Sequence, residues 1–140
     1  MIKAVVDPGV LISAAITPAG GPPARLVDLL ISGEIEVEMV ACPMLLAALE
    51  GVLARPKFAR YTDDHLRGIF VAAIREAAIM VPDPDPIPLL TRDPDDDYIV
   101  ALARAAGADV IVSGDLDLLE LADPSPPVLM PRDFLERLGE

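Results

Sequence analysis

The chain is short of three things on which many functions depend. Among 140 residues it has one cysteine, one histidine and only 11 basic residues against 23 acidic ones. The lone Cys42 excludes an internal disulfide and fits a reducing cytoplasm. Beside an apolar stretch, it reads as a core residue. The lone His65 leaves no Cys/His set with zinc spacing. A Ser-His-Asp or Cys-His catalytic site would have to use His65, and nothing near it in the chain supports one. It reads instead as a solvated residue in the first turn of a helix. The net charge of −12 means that the overall field does not attract nucleic acid. Bound cations and a local basic patch would have to do that work. A basic protein partner is the other natural consequence of such a charge.

Other absences narrow the choice further. Hydrophobic residues make up 53% of the chain, yet no apolar run is long enough to span a bilayer. The N-terminus has one lysine and then a strand-like run broken by Asp7 and Pro8, which is no signal peptide. The expectation is a cytoplasmic protein of one domain, residues 1–140, with no membrane contact. Gly20-Gly21 and Gly107 make no phosphate-cradling loop. Asp7 stands alone after the first strand, and Lys57 is the last lysine. A receiver-type phosphoacceptor domain needs an acidic pair and a late lysine, so that class is excluded too.

What is present alternates between two periods. Residues 2–6 read as a buried strand, 10–16 as a short helical stretch and 17–23 as a loop. A helix over 23–32 stops at Gly33. Residues 35–40 alternate apolar and acidic, as a half-buried strand does. Pro43 opens a helix with Leu45, Leu49, Val52 and Leu53 on one face, and Pro56 ends it. Thr62 is expected to cap a long helix whose Leu66, Ile69, Phe70, Ala73 and Ala77 share a face. Residues 79–81 form a strand, and a rigid Pro-rich loop follows. A further helix ends near Gly107. Then come a buried strand at 110–113, a short Leu-rich helix, a loop at 124–127, a strand at 128–130 and a closing helix from Pro131. Strands alternating with helices predict an α/β fold with a mostly parallel sheet.

The chemistry concentrates in Arg92-Asp-Pro-Asp-Asp-Asp-Tyr. Asp93, Asp95, Asp96 and Asp97 crowd the start of a helix with Ile99, Val100, Ala103 and Ala106 at helical spacing. Capping and the helix dipole explain one or two of these acids. Four like charges repel, and some must be neutralised. A solvated acidic loop and a divalent-cation site both remain open on that stretch alone. Asp7 follows the first strand directly, and Asp115 stands two residues after the strand 110–113. Asp96 opens the helix that feeds that same strand. In open parallel sheets the functional crevice lies beyond the carboxyl ends of the strands. If the first and fourth strands are neighbours, three carboxylates converge there, with no Lys or Arg nearby in sequence. That donor set suits Mg²⁺ or Mn²⁺. Such ions activate water and clamp a phosphate for in-line displacement.

An ordered set of segments then resembles the PIN-domain family, in its VapC-like toxin-component branch. They are Val5-Val-Asp-Pro-Gly-Val-Leu-Ile-Ser-Ala, Cys42-Pro-Met-Leu-Leu with Val52-Leu-Ala-Arg-Pro-Lys-Phe, the acidic run from Arg92, Gly107-Ala-Asp with Val112-Ser-Gly-Asp-Leu-Asp, and Met130-Pro-Arg-Asp-Phe-Leu. The resemblance implies an α/β/α sandwich and metal-dependent endoribonuclease chemistry from four acids. Asp7 matches the first acid, Asp96 the third and Asp115 the last, with Asp117 as a frequent helper. Two positions depart from the family. Pro8-Gly9 replaces the usual Thr-Asn after the first acid. The second acid, a Glu, falls at Ala48; Glu50 is two residues on, about 200° round a helix.

The resemblance therefore implies an RNA substrate, Mg²⁺ or Mn²⁺ held by Asp7, Asp96, Asp115 and Asp117, a homodimer and a small basic antitoxin partner. Asp93, Asp97 and Glu50 are secondary candidates for supporting the metal. Arg55, Lys57 and Arg60 on the basic connector are the candidate phosphate contacts. The competing reading is a PIN-like domain whose catalysis is weakened or lost, acting as an RNA- or protein-binding module.

Overall fold

The computed structural model describes residues 1–17, 20–91, 93–121 and 124–140. Parts of the expected loop at 17–23, Arg92 at the head of the acidic run, and positions 122–123 after the Leu-rich helix lie outside them. Among the described residues five strands form one sheet: β1 (Ile2–Val6), β2 (Val37–Ala41), β3 (Ile79–Met80), β4 (Val110–Val112) and β5 (Val128–Leu129). Their order is β3-β2-β1-β4-β5, and every pairing is parallel. The α/β reading is borne out. β1 occupies the centre because its Ala4, Val5 and Val6 are buried and carry no charge. A strand covered on both faces needs a continuous apolar run of this kind.

The helices are α1 (Pro8–Ile16), α2 (Pro22–Ser32), α3 (Pro43–Leu53), α4 (Asp64–Ala77), α5 (Pro94–Ala106), α6 (Leu116–Leu119) and α7 (Pro131–Arg137). Five of them begin with proline in the first turn, where its missing N–H costs nothing and its φ is already helical. Gly33 and Gly107 end α2 and α5 at φ 74° and 66°. Only glycine takes up such left-handed values without strain. α1, α2, α3, α4 and α7 pack together, while α5 packs on β1, β2 and β4. Right-handed crossovers account for the division. The chain moves from β1 outward to β2 and β3, then returns through α5 to β4 and β5. The direction of winding therefore reverses between β1 and β4. That reversal is the switch point at which an open parallel sheet leaves a crevice beyond its strand ends.

Three local expectations shift. The α4 cap is Asp63, not Thr62: Asp63 Oδ1 accepts the Leu66 N–H at 2.8 Å, and the helix starts at Asp64. The face α4 buries is centred on Val71 and Ile74; of the expected stripe Phe70 and Ala77 pack against the core, whereas Leu66 and Ile69 are 51% and 55% exposed. The period is helical as expected, but packing rotates the stripe toward Val71 and Ile74. β2 starts two residues later and ends one later than the alternation implied, because the buried run extends through Ala41 and Cys42 to the start of α3.

Candidate metal centre

The switch point carries the acids. Asp7 follows Val6 and is still tied to the sheet, since its N–H donates to Val112 O at 2.9 Å. It also caps α1: Oδ1 accepts the Gly9 N–H at 3.3 Å. Asp115 follows β4 by three residues and caps the short α6, its Oδ1 accepting the Asp117 N–H at 2.9 Å. Asp96 sits in the first turn of α5, 5% exposed, and its Oδ2 has no hydrogen-bond partner among the described residues. One carboxylate oxygen from each of Asp7, Asp96 and Asp115 lies within 4.8 Å of the other two.

Such a gathering of like charges is unfavourable by itself, and burial makes it more so. Burial pushes Asp96 up to about 7, with the charge of Asp115, a hydrogen bond to it, and the charges of Asp7 and Asp93 adding to the shift. Asp7 is raised as well, chiefly by burial; the Ser113 and Gly9 hydrogen bonds pull it back, and Asp115 pushes it up again. Among the described residues no Lys or Arg forms an ion pair with any of the three. A partnerless buried oxygen beside two more carboxylates, all hard donors, fits a divalent cation. Two of the three, Asp7 and Asp115, line a cleft of about 770 Å³ together with residues that include Ser13, Met130 and Arg132.

A family model for the PIN domain matches residues 3–117. The chain belongs to the PIN-domain family. It is 27% identical over 144 residues to the uncharacterized protein MJ1680 of Methanocaldococcus jannaschii, covering 96% of this chain and 90% of that one. Its fold is similar to the crystal structure of PAE2754 from Pyrobaculum aerophilum, with a TM-score of 0.63 at 17% identity, over 99% of this chain and 90% of the other. PIN domains are generally nucleases that act on RNA and typically depend on divalent metal. The three-acid group of this PIN domain is of the kind that binds such an ion.

The other acids singled out in the sequence go elsewhere. Asp97, one residue on from Asp96, points to the loop before the helix. Its Oδ1 accepts the Leu90 N–H at 3.0 Å, the Thr91 N–H at 2.7 Å and the Thr91 hydroxyl at 2.9 Å. Burial acts to raise its pKa, but these donors together outweigh burial and leave it lowered. Asp93 caps α5, accepting the Asp95 N–H at 2.9 Å. Asp117 is half-buried at the start of α6, and Glu50 is exposed on α3. None of these four belongs to the three-oxygen group. Ala48, where the resemblance would put a second acid, is half-buried and has no carboxylate to offer.

The basic connector does not line the acid cleft. Arg55 lines a different one, of about 440 Å³, with Thr62 and His65. Lys57 lies over the Phe58 ring at 5.0 Å, and Arg60 over the Tyr61 ring at 4.9 Å. All three follow the last turn of α3, the end remote from Pro43 and the carboxyl end of β2.

Two residues of the site escaped sequence reasoning. Ser113 is fully buried; its hydroxyl donates to Asp7 Oδ2 at 2.6 Å and accepts the Asp115 N–H at 3.0 Å. The available signal was a hydroxyl closing an otherwise apolar strand two residues before an acid. Arg132 is the one cation lining the cleft among the described residues. Nothing in the sequence distinguishes it from any other basic residue in a helix's first turn.

Proposed function

We propose that this PIN domain, spanning residues 1–140, is a metal-dependent endoribonuclease that hydrolyses phosphodiester bonds. Asp7, Asp96 and Asp115 hold Mg²⁺ or Mn²⁺, with Asp117 at the rim. The observation that carries the reading is the meeting of those three carboxylates, from positions far apart in the chain, at the sheet's switch point. When bound, the cation supplies positive charge against the phosphate and lowers the pKa of water, the nucleophile. The chain's own part is to prepare that place. Ser113 fixes the Asp7 carboxylate and anchors the backbone of Asp115, so two ligands are oriented from one buried hydroxyl. Asp96, whose pKa burial and its neighbours push up to about 7, would have to be ionised to hold the cation.

Several finer assignments rest on the family resemblance and on charge. Arg55, Lys57 and Arg60 contact phosphates of the same RNA away from the scissile bond. The net charge of −12 suits a small basic antitoxin segment over the acidic mouth, and the protein works in the cytoplasm as a homodimer. The test is cleavage of single-stranded RNA in Mn²⁺ by the wild type and by Asp7→Asn. Loss of cleavage in the variant supports the assignment, and unchanged cleavage rejects it.

Ala48 favours one second reading. With the family's second acid missing, catalysis is weakened or lost, and the domain serves as an RNA- or protein-binding module. Calorimetry showing no Mn²⁺ binding at millimolar metal, with the fold intact, would favour this alternative.

A further inference from the structure

Asp7 and Asp115 line the cleft, and Arg132 is the one basic residue that lines it among the described residues. Arg132 is the second residue of α7, and the backbone beneath it is firmly seated: Pro131, Phe134 and Leu135 are buried, and α7 packs on α2. The strand before it is tied to the acids as well, since Ser113 N–H donates to Leu129 O at 2.9 Å. The exposed guanidinium forms no ion pair within 4.0 Å among the described residues, although Asp133 is next in the chain and also lines the cleft. In a chain with twice as many acids as bases, a cation left unpaired in an acidic cleft is available to an anion from outside. We propose that Arg132 grips the phosphate adjacent to the scissile one, holding a single RNA strand across the cleft while the acids engage the reacting phosphate. The planar guanidinium offers a two-pronged grip that suits phosphate oxygens. The proposal rests on the nuclease reading above for its substrate, and it assigns the anchor next to the scissile phosphate to Arg132, with the 55–60 connector left to phosphates farther along the strand.

The experiment is binding of a short labelled single-stranded RNA, followed by fluorescence anisotropy in Ca²⁺ over a salt series. Arg132→Ala is expected to weaken binding about tenfold and to lower the salt slope by roughly 0.7, the loss of one phosphate contact on a single strand. Arg132→Lys keeps the slope and recovers part of the affinity. In Mn²⁺, cleavage by Arg132→Ala shows a raised KM with kcat changed by less than about threefold, and its calorimetric Mn²⁺ affinity stays within about twofold of wild type. Equal affinity and slope in wild type and Arg132→Ala would overturn the proposal, as would a wild type that binds no RNA. So would Mn²⁺ binding about tenfold tighter in Arg132→Ala with RNA affinity unchanged, since Arg132 would then be an internal counter-ion. The nuclease reading is judged separately, by cleavage and Mn²⁺ binding in Asp7→Asn.

Discussion

Ser113 Oγ lies 2.6 Å from Asp7 Oδ2, joining the ends of β4 and β1 through one buried hydroxyl. The same oxygen accepts the Asp115 N–H at 3.0 Å. Removing it in Ser113→Ala takes away the main influence that holds down the raised Asp7 pKa, and frees the Asp115 backbone. Mn²⁺ affinity should fall roughly 10–100-fold, and stability by about 1–2 kcal/mol. Ser113→Thr keeps the hydroxyl and should keep most of both. Titration calorimetry and urea unfolding read the two effects; an Ala variant with wild-type metal affinity contradicts the role.

Asp97 is expected to matter for folding. Three donors converge on its Oδ1, so Asp97→Ala leaves two backbone N–H groups unmet and should cost about 2–3 kcal/mol. Its pKa is lowered in the folded protein. That contribution is therefore present above the ordinary carboxylate pKa and is lost as pH falls through the folded value. Urea unfolding at pH 7 and pH 3 should show the variant's deficit shrinking at the lower pH. A deficit that stays constant would contradict this account.

Asp96 has the opposite sign. Its folded pKa, about 7, lies above the ordinary 3.8, so the folded state binds the extra proton between those values. The stability this gives is complete below about pH 4 and disappears as pH rises through 7. In EDTA, Asp96→Asn should be more stable than wild type at pH 8 by about 1–3 kcal/mol, and the gap should close by pH 5. Saturating Mn²⁺ should reverse the order at pH 8. Parallel stability curves for the two proteins in EDTA would contradict the electrostatic picture.

Ala48→Glu tests the missing acid. The residue is half-buried, on the α3 turn between Leu45 and Leu49, both fully packed. A carboxylate restored there should tighten Mn²⁺ binding by about tenfold and raise cleavage in parallel, through one more hard oxygen donor. Glu50→Gln, on the exposed side, should change neither. No gain from Ala48→Glu would show that the helix does not face the group at that position.

Much of this site was legible before the fold. Asp7 and Asp115 each sit just past an apolar strand, and strand ends are where α/β sheets leave room for chemistry. What the chain does not announce is rotation about a helix axis. Asp96 and Asp97 are neighbours in a uniform acidic run, yet about 100° apart on the helix. Asp96 meets Asp7 and Asp115 while Asp97 accepts from the 90–91 backbone, and only the packing of α5 decides which. The same ambiguity put Leu66 and Ile69 on the wrong side of α4. Ser113 and Arg132 were hidden for another reason: each matters through neighbours contributed by distant strands, β1 for the serine and the acid cleft for the arginine.

The central claim is that Asp7, Asp96 and Asp115 share one cation. A crystal structure grown with Mn²⁺, with anomalous diffraction used to locate the metal, tests it most directly. The account predicts a peak bonded to one carboxylate oxygen from each of the three residues, at oxygen–metal distances of about 2.0–2.3 Å. A peak confined to other acids such as Asp97 or Glu50, or no peak at millimolar metal with the three carboxylates still together, would contradict it.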